Sequence, residues 1–164
     1  MIGLLLCIGI FAAGEVVAQG NKTIVLVRHA ERDGTMATNP DPELSPEGRE
    51  RAIKLMNAIK KYKPHEIFST NYKRTRLTAE PIANRRKKQI QTYDPAKQNE
   101  LVDKILASKT DHYLIVGHSN TIPALANLLA KKELFRNLLE TEYGVFWVIR
   151  MKNGAVTRVE VFPY

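Results

Sequence analysis

IVLVRHAER, residues Ile24 to Arg32, holds four aliphatic residues in an unbroken run and then five residues of which four are ionisable. A short apolar run without alternation is the pattern of a strand covered on both faces, as in a parallel sheet with helices above and below. The charge that begins at Arg28 therefore falls at the carboxyl end of a buried strand. Ligands of open α/β sheets collect at that end. The same design recurs at residues 113–116, YLIV, which run straight into Gly117-His118.

Between and beyond these two runs, helical and extended patterns alternate. Ser45-Pro46 opens a helix, with serine as N-cap and proline at the first position. Ala52, Leu55, Met56, Ile59 and Tyr62 continue it at helical spacing to Lys63-Pro64. A brief strand is predicted over residues 66–69 and a helix over 74–83, which Pro81 should shorten or kink. Residues 89–93 alternate like an edge strand, Leu101, Val102, Ile105 and Leu106 mark a helix, and residues 121–130 mark another. Residues 145–151 and 155–162 flank Asn153-Gly154, the signature of a hairpin with a type I′ turn. Together these elements predict an α/β sandwich, mostly parallel, with a C-terminal antiparallel hairpin.

The chain has 164 residues, enough for one domain with a sizeable core, and carries a net charge of +8. That balance favours anionic partners without choosing among them. Residues 1–18 read as a signal peptide cut after Ala18, leaving residues 19–164 as the mature domain, exported to the periplasm or secreted. Anchoring through the N-terminus or lipidation at Cys7 are the alternatives. The apolar run from Ile2 to Ala13 is shorter than the ~17–25 residues that a span needs, so no stable membrane insertion is expected after cleavage. Cleavage would remove Cys7, the one cysteine, and with it any thiol nucleophile, cysteine-ligated zinc or disulfide.

Three polar clusters sit at strand ends: Arg28-His29, the stretch STNYKRTRLTAE from Ser69 to Glu80, and Gly117-His118. Two histidines alone fall short of the three or four protein ligands zinc usually takes, and arginines beside them oppose a cation. Arginine forks instead bind phosphate oxygens through paired charge-assisted bonds. Positive neighbours also lower an imidazole pKa and keep one ring nitrogen free to attack. The inventory points to a phosphoryl pocket with a nitrogen nucleophile.

LVRHAER resembles the Arg-His-Gly/Ala motif of the histidine phosphatase superfamily, whose fold is phosphoglycerate mutase-like. STNYKRTRLTAEPIA resembles that family's second block, and VGHSN its second-histidine block; all three occur in family order. The resemblance implies a three-layer α/β/α sandwich, with His29 as the nucleophile that becomes phosphohistidine. It also implies that Arg28 and Arg74 hold phosphoryl oxygens and that His118 completes the pocket as a hydrogen-bond donor. Arg32 is a further phosphate-binding candidate. No metal or other cofactor is expected in the reaction. For the acid that protonates the leaving oxygen, Asp94 is preferred over Glu100 and Glu31, and an ordinary turn before Pro95 is its other reading.

The implied activity is hydrolysis of phosphate monoesters, on a small phosphorylated substrate or a phosphoprotein. A phosphomutase and a non-catalytic phosphate or phosphoprotein binder are the alternatives. Lys73, Arg76, His65 and His112 are assigned to the surface or to structural roles, and Tyr143, Phe146 and Trp147 to sheet packing. The run Arg85-Arg86-Lys87-Lys88 has no aromatic interleaving or recognition-helix motif, so no nucleic-acid partner is expected.

Overall fold

The computed structural model describes residues 20–35 and 38–164; the predicted signal segment, 1–18, lies outside them. Its elements run β1 (Asn21–Arg28), α1 (Pro46–Ile59), β2 (Glu66–Ser69), α2 (Lys73–Arg86), β3 (Ile90–Thr92), α3 (Gln98–Ala107), β4 (His112–Gly117), α4 (Thr121–Ala130), β5 (Val145–Lys152) and β6 (Ala155–Pro163). A single 3-10 turn, Lys60–Tyr62, extends α1. The strands form one sheet in the order β3-β2-β4-β1-β5-β6. The pairs from β3 through β1 are parallel, whereas β1 with β5 and β5 with β6 are antiparallel. No helix among the described residues is long and apolar enough to cross a membrane.

The opening run behaves as its pattern requires. Ile24, Val25, Leu26 and Val27 are all fully buried, and alternate side chains enter different layers. Ile24 and Leu26 pack with Leu101 and Ile105 of α3 and with Ile122 and Leu125 of α4. Val25 and Val27 pack with Leu55 and Ile59 of α1 and with Ala79 and Ile82 of α2. Helices thus cover both faces, giving three layers, and each buried aliphatic side chain contributes roughly 1.5–3 kcal/mol. Phe146 and Trp147 are buried in these same layers, as predicted.

Local signals account for most boundaries. The Ser45 hydroxyl accepts from the Gly48 N–H at 3.1 Å, and Pro46 is the first residue of α1. Asn153 (φ 50°) and Gly154 (φ 79°) are both left-handed, as a type I′ hairpin needs. Of the two effects expected of Pro81, a shortened or a kinked helix, the first does not occur: α2 runs on to Arg86. The helix is stopped instead by Lys87 in the left-handed conformation, with Lys87 N–H bonded to Asn84 O and Lys88 N–H to Ala83 O. This Schellman closure and the buried face of Thr78, Ala79, Ile82 and Ala83 outweigh the one N–H that proline removes. Lys63 and Lys131 terminate their helical segments in the same left-handed way.

The exit from β1 is bound to the start of α1. Asp33 N–H donates to Glu43 O at 2.8 Å, and Ser45 N–H to Glu31 O at 3.0 Å. Gly48 lies where this loop crosses the helix, and a Cβ there would collide with the backbone carbonyl of Glu31. Helix propensity alone would make Gly48→Ala stabilising by up to ~1 kcal/mol. The collision should reverse that sign, lowering stability by ~1–3 kcal/mol in denaturant unfolding. An unchanged or raised midpoint would show that the loop yields.

Candidate active site

Three neighbouring strands deliver the site. β1 lies beside β4, and β4 beside β2, so the residues leaving their carboxyl ends emerge side by side. His29 N–H donates to Gly117 O at 2.9 Å, and Thr70 N–H reaches Val116 O at 3.4 Å. His118 follows β4 directly, and the first turn of α2 supplies Arg74. Arg28, His29, Arg32, Arg74 and His118 line one cavity of about 440 Å³. The structure thereby brings together five of the six predicted site residues.

His29 is 5% exposed, and its tautomer is set by the backbone. Nδ1 lies 2.7 Å from the carbonyl oxygen of Ala30. A carbonyl only accepts, so Nδ1 must carry the proton and Nε2 must present a lone pair. Arg74 Nε–H donates to that Nε2 at 3.3 Å. Burial pushes the imidazole pKa down to about 3, opposed by the bond to Ala30 and assisted by Arg74, His118 and Arg28. Burial, rather than the positive neighbours that the sequence suggested, is the larger cause.

His118 stands edge-on to His29, ring centroids 5.4 Å apart, and its Nε2 lies 2.9 Å from the Thr70 hydroxyl. Burial lowers its pKa to about 4, with Arg74 and Arg28 acting in the same direction. Tyr72 packs edge-on to the His118 ring, and the Arg74 guanidinium lies 4.4 Å from the Tyr72 ring centre. Arg74 Nη1 is also 3.8 Å from the Asp41 carboxylate. The predicted clamp is thus held at two sides before any ligand arrives.

Arg28 departs from its expected role in one respect. Its Nη1 donates to the carbonyls of Leu139 (2.7 Å) and Glu142 (3.1 Å), and its Nη2 contacts Glu140 (3.2 Å) and the Tyr143 hydroxyl (3.3 Å). Tyr143 belongs to this loop and lies with its ring 4.1 Å from the guanidinium carbon, rather than in the sheet core. Arg28 therefore anchors the loop ahead of β5 while lining the cavity. Its Nε is buried and has no partner among the described residues.

Asp94 does not reach the cavity. Its carboxylate accepts from Ala96 N–H at 2.9 Å, closing its own turn, and Pro95 rather than Asp94 lines the wall. Glu100 sits on α3, 3.3 Å from Lys97. Glu31 grips the Arg51 Nε–H with both oxygens, at 2.7 and 2.8 Å, and so fixes the β1 exit to α1. The carboxylate that does line the cavity is Glu140, from the irregular stretch between α4 and β5. Neither periodicity nor a motif marks Glu140. Tyr72, by contrast, was within the quoted second block and lacked only an assigned role.

Solved structures share this fold. Mycobacterial glucosyl-3-phosphoglycerate phosphatase matches with a TM-score of 0.69 at 15% identity, over 88% of this chain and 99% of its own. The protein histidine phosphatase SixA in complex with tungstate matches with a TM-score of 0.70 at 12% identity, over 86% of this chain and 96% of that one. A candidate phosphohistidine phosphatase SixA from Nakamurella multipartitia reaches 0.61 at 22% identity, over 88% and 97%. No curated protein matches the chain in sequence. The architecture is phosphoglycerate mutase-like. The sequence pattern of the histidine phosphatase superfamily, branch 1, matches residues 24–96.

The two depressed histidines give a pH prediction. Both fold with pKa values below the unfolded ~6.5, so the unfolded chain binds more protons between about pH 6.5 and 3. Their contribution is present above pH ~6.5 and lost as pH falls through about 4 and then about 3, on the order of a few kcal/mol for His29 and less for the more exposed His118. Urea unfolding near pH 7 and about pH 4 should show a smaller acid loss in the His29→Gln/His118→Gln double variant. Equal acid sensitivity in both proteins would contradict the assignment.

Proposed function

We propose that the protein is a phosphatase that hydrolyses phosphate monoesters through a phosphohistidine on His29, without a metal ion in the reaction. The observation that carries this reading is the His29 Nε2 lone pair, fixed by the Ala30 carbonyl and directed at Arg74 inside an arginine-rich cavity. A neutral, oriented nitrogen beside guanidinium donors suits in-line attack on phosphorus. In the first step a bond forms between Nε2 and phosphorus as the bond to the leaving oxygen breaks. Arg74, Arg32 and His118 face the equatorial oxygens, where negative charge accumulates in the transition state. The Ala30 carbonyl, accepting from Nδ1–H, offsets the positive charge that the phosphorylated ring acquires. Water then displaces His29 and releases inorganic phosphate.

Glu140 takes the acid's role that Asp94 was expected to fill, since it is the carboxyl group on the cavity wall. The tungstate bound to the SixA structure, an oxyanion, agrees with an oxyanion guest for a pocket of this fold. The substrate is a small phosphorylated compound or a phosphorylated protein side chain presented at the surface.

Turnover of p-nitrophenyl phosphate tests the core of the reading. His29→Ala should abolish it, and Arg74→Ala should lower kcat/KM by roughly 10²–10³-fold. Residual activity in His29→Ala near the native rate would refute the nucleophile, and no turnover by the native protein with phosphate binding intact would favour a binding module. The acid is tested by comparing leaving groups. Glu140→Gln should slow hydrolysis of an alkyl phosphate by about 10²-fold while changing the aryl ester little, because nitrophenolate departs without a proton. Asp94→Asn should alter neither; equal effects on both esters in Glu140→Gln would remove Glu140 from the role.

A further inference from the structure

At the amino ends of the same strands, away from the phosphoryl cavity, His65, Asp111 and His112 converge. One ligand atom from each lies within 4.8 Å of the other two. Their placement follows from the sheet. His65 immediately precedes β2 and His112 opens β4, and these strands pair in parallel from Glu66↔Tyr113 onward. His65 N–H donates to His112 O at 2.9 Å, and Thr23 N–H to Asp111 O at 2.7 Å, so both loops are tied to the strand edge. The two imidazoles stack with centroids 5.4 Å apart, and His65 Nδ1 lies 2.8 Å from the Asp111 carboxylate.

A surface histidine–aspartate pair, worth ~0–1 kcal/mol, accounts for His65 and Asp111 alone. It leaves His112 unexplained, because His112 Nδ1 is buried and has no partner among the described residues. A buried nitrogen without a partner is a standing cost, which an ion bound at its lone pair would remove. Lys22, whose charge also acts on Asp111, does not fill the gap: its ammonium is held by the carbonyls of Ser108 (2.6 Å) and Thr110 (2.8 Å).

We propose that His65, Asp111 and His112 form a binding site for a divalent transition-metal ion of the zinc type, separate from the phosphoryl pocket. Two imidazole nitrogens and one carboxylate oxygen suit zinc, with a fourth position left for water or an outside ligand. Zinc with bonds of ~2.0–2.2 Å sets tetrahedral donors about 3.4 Å apart. His65 and Asp111 are exposed and His112 is half-buried, so the two exposed side chains are the ones that would rotate to close that spacing around His112. Binding at His65 Nδ1 requires the neutral imidazole to carry its one N–H on Nε2 instead, so the metal meets a neutral imidazole and a carboxylate with no net proton released. The ion would staple the loops entering β2 and β4, which lie 46 residues apart in sequence. Its task is structural, and no step of phosphoryl transfer passes through it.

The test titrates Zn²⁺, and Co²⁺ as a spectroscopic probe, into tag-free, metal-stripped protein. The chain has four histidines, two of them in the phosphoryl cavity, so His29→Ala is the essential comparison. One ion per chain should bind to the native protein and to His29→Ala alike, raising Tm and giving the visible absorption of four-coordinate cobalt. His112→Ala, His65→Gln and Asp111→Asn should each weaken binding at least ~10-fold with the apo fold and phosphatase turnover retained. Binding lost in His29→Ala but kept in His112→Ala would move the ion to the phosphoryl cavity and overturn the proposal. So would the lack of saturable binding, or a Tm that zinc does not change. Because turnover is read separately, failure here leaves the proposed reaction standing.

Discussion

The parallel ladder between β1 and β4 sets everything that follows in this chain. Arg28 pairs with Gly117, so the next residue on each strand is a histidine, and the two imidazoles leave the sheet at one level. A strand that is apolar on both faces does not resist a one-residue slip by polarity, because either register buries hydrocarbon. The restraint comes from polar anchors at its two ends. At the start, Lys22 is almost fully buried and reaches two carbonyls in the loop before β4. At the finish, His29 N–H binds Gly117 O. A buried lysine of this kind adds little net stability.

Positive charge is concentrated at the cavity. Three arginines and two histidines meet there, and the protein keeps the histidines neutral while Asp41 and Glu140 face two of the arginines. A phosphate dianion entering this field reverses its sign. It favours protonation of the same groups that burial and the guanidinium charges now suppress, so anion binding and proton uptake are linked. Loop placement joins the linkage, because Glu140 and the Leu139 and Glu142 carbonyls share Arg28. An anion that draws on Arg28 therefore acts on the segment between α4 and β5 as well.

Much of this architecture was legible in the chain's own letters, and the reasons are physical. The unbroken IVLV run, Ser45-Pro46 and Asn153-Gly154 each carry a local signal that tertiary structure has no cause to override. Pro81 was misleading because a lost N–H bond is local whereas the packing of Ile82 and Ala83 is not. Arg28, His29, Arg74 and His118 were legible because strand ends define where side chains meet. Asp94 failed for the opposite reason: a short polar side chain before proline satisfies itself in its own turn. Glu140, on the cavity wall, and Tyr143 sit in irregular backbone and are held by long-range contacts to Arg28, which no periodicity encodes.

Three helical segments end on a lysine in the left-handed conformation: Lys63, Lys87 and Lys131. For a residue with a Cβ that conformation costs roughly 1–2 kcal/mol, which glycine would avoid. A cation at a helix carboxyl end recovers ~0.3–1 kcal/mol from the dipole. Each lysine therefore carries a modest net penalty, repeated at three independent termini. At each of these termini the chain gives up a little conformational comfort and carries an exposed positive charge instead.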